Sequence, residues 1–260
     1  MENYLYIISL ISISKLVMSE TVSVTYNNGY FQAMPGINYF ESVVAWANLT
    51  NDQQNNGWIY LEITTNKDYP DEIQARAAGF AEGYLTKESI HNYYRGNILI
   101  FSFILSNPFI VEFYSRLICN DEASHGIGKD FCKFLKKQLR TNTEFVDKSI
   151  ARKSKSDPYW HMVNLVFLQM NGIMEGFLAK TDESNEIIDN DDFDTEYGIL
   201  LINYIADIWD YIGPFEDSIK IKSKDRARPS CSVLIKHLQN KGEMYIGHNT
   251  WHEYSAMGYR

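Results

Sequence analysis

An α+β fold is what this sequence predicts, and three stretches predict it. Residues 20–66 alternate apolar and polar positions as half-buried strands do, residues 70–212 carry helix starts and helical periodicity, and residues 231–249 alternate again around a glycine-bearing turn. Strands first, then a helical block, then a hairpin is the order of a segregated α+β chain rather than of an interleaved parallel sheet. The 260 residues are 45% hydrophobic and 14% aromatic, which suffices for a large core and argues against disorder and coiled coil. Acidic residues outnumber basic ones, 33 to 24, and the net charge of -9 repels phosphate backbones and anionic lipid surfaces. Nucleic acid is therefore excluded as the main partner.

At the N-terminus, Tyr4 to Ser14 and Leu16 to Met18 form an apolar run interrupted by Lys15, too short to span a bilayer. It suits the core of a signal peptide covering residues 1–19, with Val17-Met18-Ser19 ending in the small residue that cleavage needs and Glu20 opening the mature chain. Glu2 stands where leaders usually carry positive charge, so a buried N-terminal strand or helix is the other reading. In an exported chain Asn48-Leu49-Thr50 is a glycosylation acceptor at Asn48.

Val22, Val24 and Tyr26 alternate with polar residues, Asn27-Asn28-Gly29 signals a turn, and Trp58 to Thr64 is rich in β-formers. Pro70-Asp71-Glu72 opens a helix with acidic residues in its first turn. Gly79 and Gly83, four apart on that helix, cost stability of order 1 kcal/mol each and predict a close neighbour against the bare backbone. Thr86 is placed to cap the next helix, which runs into the apolar segment Ile98 to Leu105. Asn107-Pro108 and Asp157-Pro158 open two more helices with proline in the first turn. The second of these carries Gly172-Ile173-Met174-Glu175-Gly176, the same Gly-x-x-Glu-Gly spacing as Gly79 to Gly83, which shared close packing explains without an internal repeat.

Asp182 to Asp194 is acidic, but no register supplies alternating oxygen ligands with glycine at the sixth place, so a solvated loop rather than a calcium site is expected. Ile199 to Ile212 reads as a largely buried helix with Asn203, Asp207 and Asp210 on one stripe. Cys231 to Leu238 and Met244 to Asn249 read as two strands around a turn containing Gly242.

Chemistry is sparse elsewhere. His91, His125, His161 and His237 are scattered and show no partners in sequence; His248 and His252 are four apart but lack a third ligand, so no metal is expected. No Gly-x-Ser-x-Gly elbow, Walker loop or dinucleotide fingerprint occurs, and no cofactor is expected. Of the three cysteines, Cys119 and Cys132 either close a short loop as a disulfide or stay as buried thiols, and Cys231 is left over at the start of a strand.

The sequence Ser230-Cys231-Ser232-Val233-Leu234-Ile235-Lys236 followed by His248-Asn249-Thr250-Trp251 resembles the phospholipase B-like, or lamina ancestor, family of N-terminal nucleophile hydrolases. Ala77-Ala78-Gly79-Phe80-Ala81-Glu82-Gly83, the Cys119 and Cys132 pair, Leu168-Gln169-Met170-Asn171-Gly172 with Glu175-Gly176, and Ala206-Asp207-Ile208 follow the family pattern in order, over residues 22–257.

The resemblance implies an αββα sandwich, helices outside two stacked antiparallel sheets, made as a precursor in the secretory pathway and either secreted or lysosomal. It implies self-cleavage between Ser230 and Cys231, with Cys231 as nucleophile and its freed α-amine as base. Such an amine titrates near about 7.7 to 8.0, close to neutrality and beside its own thiol. His248 is then assigned to the catalytic site, and Trp251 and Asn249 to substrate contact. A disulfide between Cys119 and Cys132 and a glycan on Asn48 accompany this assignment.

Residues 20–230 become the N-terminal portion and residues 231–260 the start of the catalytic portion. The family's chains continue further, and Gly258-Tyr259-Arg260 leaves its pattern, so a truncated form is expected, whose natural partner is its own missing C-terminal portion. The expected activity is hydrolysis of lipid esters, and by kinship amides, with no stable membrane insertion; the alternative is a non-catalytic truncated secreted or lysosomal glycoprotein.

Overall fold

The computed structural model describes residues 18–99, 127–184, 198–204, 211, 215 and 231–249. Strands β1 (Met18–Asn27), β2 (Tyr30–Pro35), β3 (Val43–Asp52) and β4 (Trp58–Thr65) form one antiparallel sheet in the order β2-β1-β3-β4. The expected turn joins β1 to β2: Asn28 and Gly29 both take positive φ, 51° and 91°, as the two-residue turn of a right-twisted hairpin requires. A short helix α1 (Gln53–Asn56) links β3 to β4, ended by Gly57 at φ 85°. β1 begins at Met18, so Met18 and Ser19, assigned above to the leader, lie in the sheet.

One face of the sheet is apolar and covered by helix α2 (Asp71–Leu85). Val22, Val24, Ala45 and Ala47 meet Ala77, Phe80, Ala81, Tyr84 and Leu85 in one buried cluster. Gln74 fixes the helix start, donating to Tyr69 O at 2.6 Å while its Oε1 accepts from Thr65 Oγ1 at 2.7 Å. Helices α3 (Lys87–Leu99), α4 (Ile127–Lys153), α5 (Pro158–Ser184) and α6 (Gly198–Tyr204) surround a second cluster built on Ile90, Tyr94, Leu135, Leu139, Phe177, Ile199 and Leu201. Burying each such Leu, Ile or Phe contributes about 1.5–3 kcal/mol.

Thr86 does not cap α3 with its side chain. Its hydroxyl donates back to Glu82 O at 2.7 Å, finishing α2, and only its carbonyl serves α3, accepting from Ile90 N at 2.8 Å. A threonine hydroxyl at a helix end reaches the carbonyl four residues earlier, and here that bond prevails over the forward cap. At α5 the expected cap is present: Asp157 Oδ1 accepts from Tyr159 N at 3.0 Å.

The two Gly-x-x-Glu-Gly stretches pack on each other. A Cβ at Gly79 would stand 1.9 Å from Gln169 O, at Gly83 1.9 Å from Ile173 O, at Gly172 2.1 Å from Arg76 O, and at Gly176 2.0 Å from Phe80 O. Partner numbers rise together along both chains, so α2 and α5 run in the same direction with their backbones in contact. This is the close neighbour that Gly79 and Gly83 predict, and the helix-propensity cost of four glycines is offset by the approach they permit.

The glutamates flank the seam. Glu175 accepts from Arg76 Nε at 3.1 and 3.2 Å, and Arg76 also stacks over Phe31 of β2, 5.5 Å from its centroid. Glu82 accepts from Gln169 Nε2 at 3.3 Å; burial pushes its carboxyl pKa up, and the Gln169 bond opposes the shift. Lys180 Nζ donates to Glu20 at 2.7 Å and lies 4.3 Å from the centroid of Tyr84, tying α5 to β1 and α2. Over Pro158–Lys180, α5 is long and apolar enough to cross a membrane by length and composition, and Tyr159, Met162 and Val166 on it are exposed.

Candidate active site

Cys231 immediately precedes β5 (Ser232–Leu238), which pairs antiparallel with β6 (Glu243–Asn249) in a separate two-stranded sheet. Gly242, at φ 66°, closes the turn, its N–H donating to Leu238 O at 3.1 Å. The register is Ser232 opposite Asn249, Val233 opposite His248, Ile235 opposite Ile246 and His237 opposite Met244.

Side chains directly opposite share a face, and the faces alternate along each strand. One face therefore carries Val233, Ile235, His237, Met244, Ile246 and His248, and continuing the alternation by one residue adds Cys231. Diagonal neighbours of this kind stand roughly 7–8 Å apart, within reach of a small substrate bound between them. Asn249 falls at the same end of the hairpin but on the opposite face, so of the two β6 residues assigned to the site only His248 shares the face of the thiol. Cys231 is a free, exposed cysteine. Both faces of the hairpin are exposed, with Val233, Leu234, Ile235 and Ile246 each more than half accessible.

Ser230, Trp251 and Cys119 lie outside the described residues. Cys132 lies in α4, but its side chain is also outside the description, and so is the proposed disulfide.

Sequence reasoning missed one polar cluster. His161, read above as lacking a partner, has Nε2 2.6 Å from Asp71 Oδ2, across the paired N-terminal ends of α2 and α5. The residues are far apart in sequence, and only the parallel packing of the two helices joins them. The hydrogen bond from His161, and next one with Glu72, hold the Asp71 carboxyl below its ordinary range, while the Asp71 bond raises His161. Ligand atoms of Asp71, Glu72 and His161 lie within 4.8 Å of one another, close enough for a metal. They sit, however, at a helix N-terminus, where free N–H groups favour anions over cations, and an Asp–His ion pair satisfies them. A cleft of 760 Å³ beside them is lined by Glu72, Ser154, Asp157, His161 and Asn164, and none of its lining residues belongs to the hairpin.

Comparison with known proteins connects these parts. A family model described as phospholipase B matches residues 45–259. Phospholipase B-like protein C of Dictyostelium discoideum is 28% identical over 220 residues, 82% of this chain and 34% of the relative. Phospholipase B-like protein B of the same organism is 30% identical over 223 residues, 82% of this chain and 34% of the relative. The chain thus spans about a third of the length of the curated relatives it matches. With the match running from the third strand of the sheet through the glycine-paired helices to the Cys231 hairpin, the chain belongs to the phospholipase B family.

Proposed function

We propose that this chain carries the nucleophile-bearing part of an acyl hydrolase that opens lipid esters through Cys231. The observation that carries the reading is the position of Cys231: an exposed thiol at the N-terminal end of β5, with His248 on the same face at the facing end of β6.

In the maturation step, Cys231 Sγ adds to the Ser230 carbonyl carbon. The Ser230–Cys231 C–N bond breaks as the nitrogen takes a proton, and water hydrolyses the resulting thioester. Ser230 is left as a carboxylate and Cys231 as an N-terminal residue with a free amine. In turnover, that amine accepts the thiol proton, Sγ attacks the ester carbonyl, and the alcohol leaves with the proton. Water, deprotonated by the amine, then releases the fatty acid and restores the thiol. His248 orients the substrate across the face. An amide would follow the same course with an amine leaving group.

The exposed hairpin supports a sandwich reading as well. Two strands with apolar side chains on both faces need layers on both sides, as the central strands of an αββα sandwich have. We infer that residues 231–249 begin the central sheets and that the protein acts in a secretory or lysosomal compartment after removal of residues 1–19.

The test is hydrolysis of a phospholipid ester by protein purified from its natural source, against a Cys231→Ala variant produced in the same way. Because Cys231 is exposed, the variant is expected to fold and to lose both internal cleavage and activity. Retention of activity by Cys231→Ala would overturn the proposal.

A further inference from the structure

Where α4 ends and α5 begins, aromatic and basic side chains gather on one exposed corner. Phe145 of α4 is 61% exposed and packs edge-on against Trp160 of α5, with ring centroids 6.1 Å apart. Trp160 in turn meets Tyr159, 66% exposed, at 5.4 Å. Met162, 58% exposed, follows Tyr159 by three residues on the helix, so the two share a face. Large apolar side chains exposed together, rather than singly, mark an interaction surface.

The corner is also basic. Residues 145–156 hold Lys148, Arg152, Lys153 and Lys155 against a single acidic residue, Asp147, in a chain whose net charge is -9. Of the neighbouring carboxylates, Glu144 pairs with Lys148 at 3.5 Å, Asp157 accepts from Tyr159 N, and Asp71 pairs with His161. Arg152, Lys153 and Lys155 make no ion pair among the described residues. Lys153 Nζ lies 5.2 Å from the centroid of Trp160, and Arg152 stands seven residues, two turns, beyond Phe145 on the same helix face. Basic residues suit the C-terminal end of α4 through its dipole, but the dipole accounts for none of the exposed rings beside them. Attraction to a charged surface falls off within a Debye length of roughly 8–10 Å, so the charge of this corner, and not that of the whole chain, decides what it meets. Tryptophan and tyrosine at the headgroup level, with lysine and arginine turned to the phosphates, is how a protein lies on an anionic lipid surface.

We propose that the corner between α4 and α5 is a reversible docking surface for anionic lipid, with Phe145, Tyr159 and Met162 entering the headgroup layer and Arg152, Lys153 and Lys155 against lipid phosphates. The proposal rests on the lipid-ester reading above, since it supplies the contact by which such an enzyme meets an aggregated substrate. The test is sedimentation of the protein, purified as for the activity test, with phosphatidylcholine vesicles with and without phosphatidylserine. Binding is expected to be about tenfold tighter with phosphatidylserine, to weaken severalfold on raising the salt, and to fall about tenfold in a variant combining Arg152→Gln, Lys153→Gln and Lys155→Gln. Tyr159→Ser with Met162→Ser should weaken it severalfold; these are surface positions, and circular dichroism checks that both variants are folded. Brominated lipid is expected to quench tryptophan fluorescence less in Trp160→Phe, which keeps a ring against Phe145, than in wild type. No binding to phosphatidylserine vesicles, as when another protein layer covers the corner, overturns the proposal, and so does binding that the triple variant leaves unchanged. Cys231→Ala is expected to bind as wild type does. Vesicle binding without any ester hydrolysis would sink the hydrolase reading alone, whereas hydrolysis of a water-soluble ester without vesicle binding would sink the docking alone.

Discussion

Replacing Gly176 by alanine tests the contact that joins the two halves of the helical block. The added Cβ would stand 2.0 Å from Phe80 O and 2.8 Å from Tyr84 N, far inside the 3.4 Å at which ordinary contact begins, so the helices must move apart. The atoms met are backbone, and no rotamer change relieves the clash. Overpacking of a close contact costs about 1–3 kcal/mol, with the upper end apt here, and alanine's better helix propensity returns about 1 kcal/mol. A net loss of about 2 kcal/mol lowers Tm by about 4–8 °C in a chain of this size. The assay is thermal and urea unfolding followed by circular dichroism, with Gly247→Ala as the control. Gly247 has no atom within 4 Å of its added Cβ, and its variant should stay within about 0.5 kcal/mol of wild type. If Gly176→Ala unfolds at or above the wild-type temperature, the backbone contact between α2 and α5 is refuted.

Further outcomes follow from the polar groups along the same seam. The stability that His161 contributes is fully present below its ordinary value near 6.5 and is lost as pH rises through its raised folded value. The Asp71 contribution is present above its ordinary value near 3.8 and is lost as pH falls through its lowered folded value, so the pair is intact across the acidic range between them. The His161 ring should therefore titrate by NMR with a midpoint above 6.5 that falls in Asp71→Asn; an unchanged midpoint would contradict the ion pair. For Arg76 and Glu175, both about a third exposed, a double-mutant cycle to alanine should give a coupling of about 1 kcal/mol, and a coupling near zero would show that the bidentate contact adds nothing.

Local chemistry was legible in the sequence where it acts locally. Asn28-Gly29 could only be a tight turn, Asp157-Pro158 an N-cap, and Gly242 a hairpin turn, because each needs a backbone conformation or donor pattern that few residues supply. Gly79 and Gly83 announced a close neighbour, but the identity of that neighbour depends on a pairing about ninety residues away, as the Gly79–Gln169 contact shows. His161 looked solitary for the same reason, since its partner Asp71 is brought to it by the glycine seam and by nothing near it in sequence. Within the sheet, the Asn28-Gly29 turn makes β1 and β2 neighbours from local sequence, whereas the central pairing of β1 with β3 carries no such local signature. At the site, spacing brought Cys231, His248 and Asn249 to one end of a hairpin, while only the register of Val233 with His248 divides them between two faces.

The central claim is that Cys231 becomes a chain terminus. Intact-mass and N-terminal sequence analysis of the protein purified from its natural source tests it most directly. The account predicts a chain beginning at Cys231, with its partner ending at Ser230. A Ser230–Cys231 bond found intact in protein that hydrolyses lipid esters would contradict it.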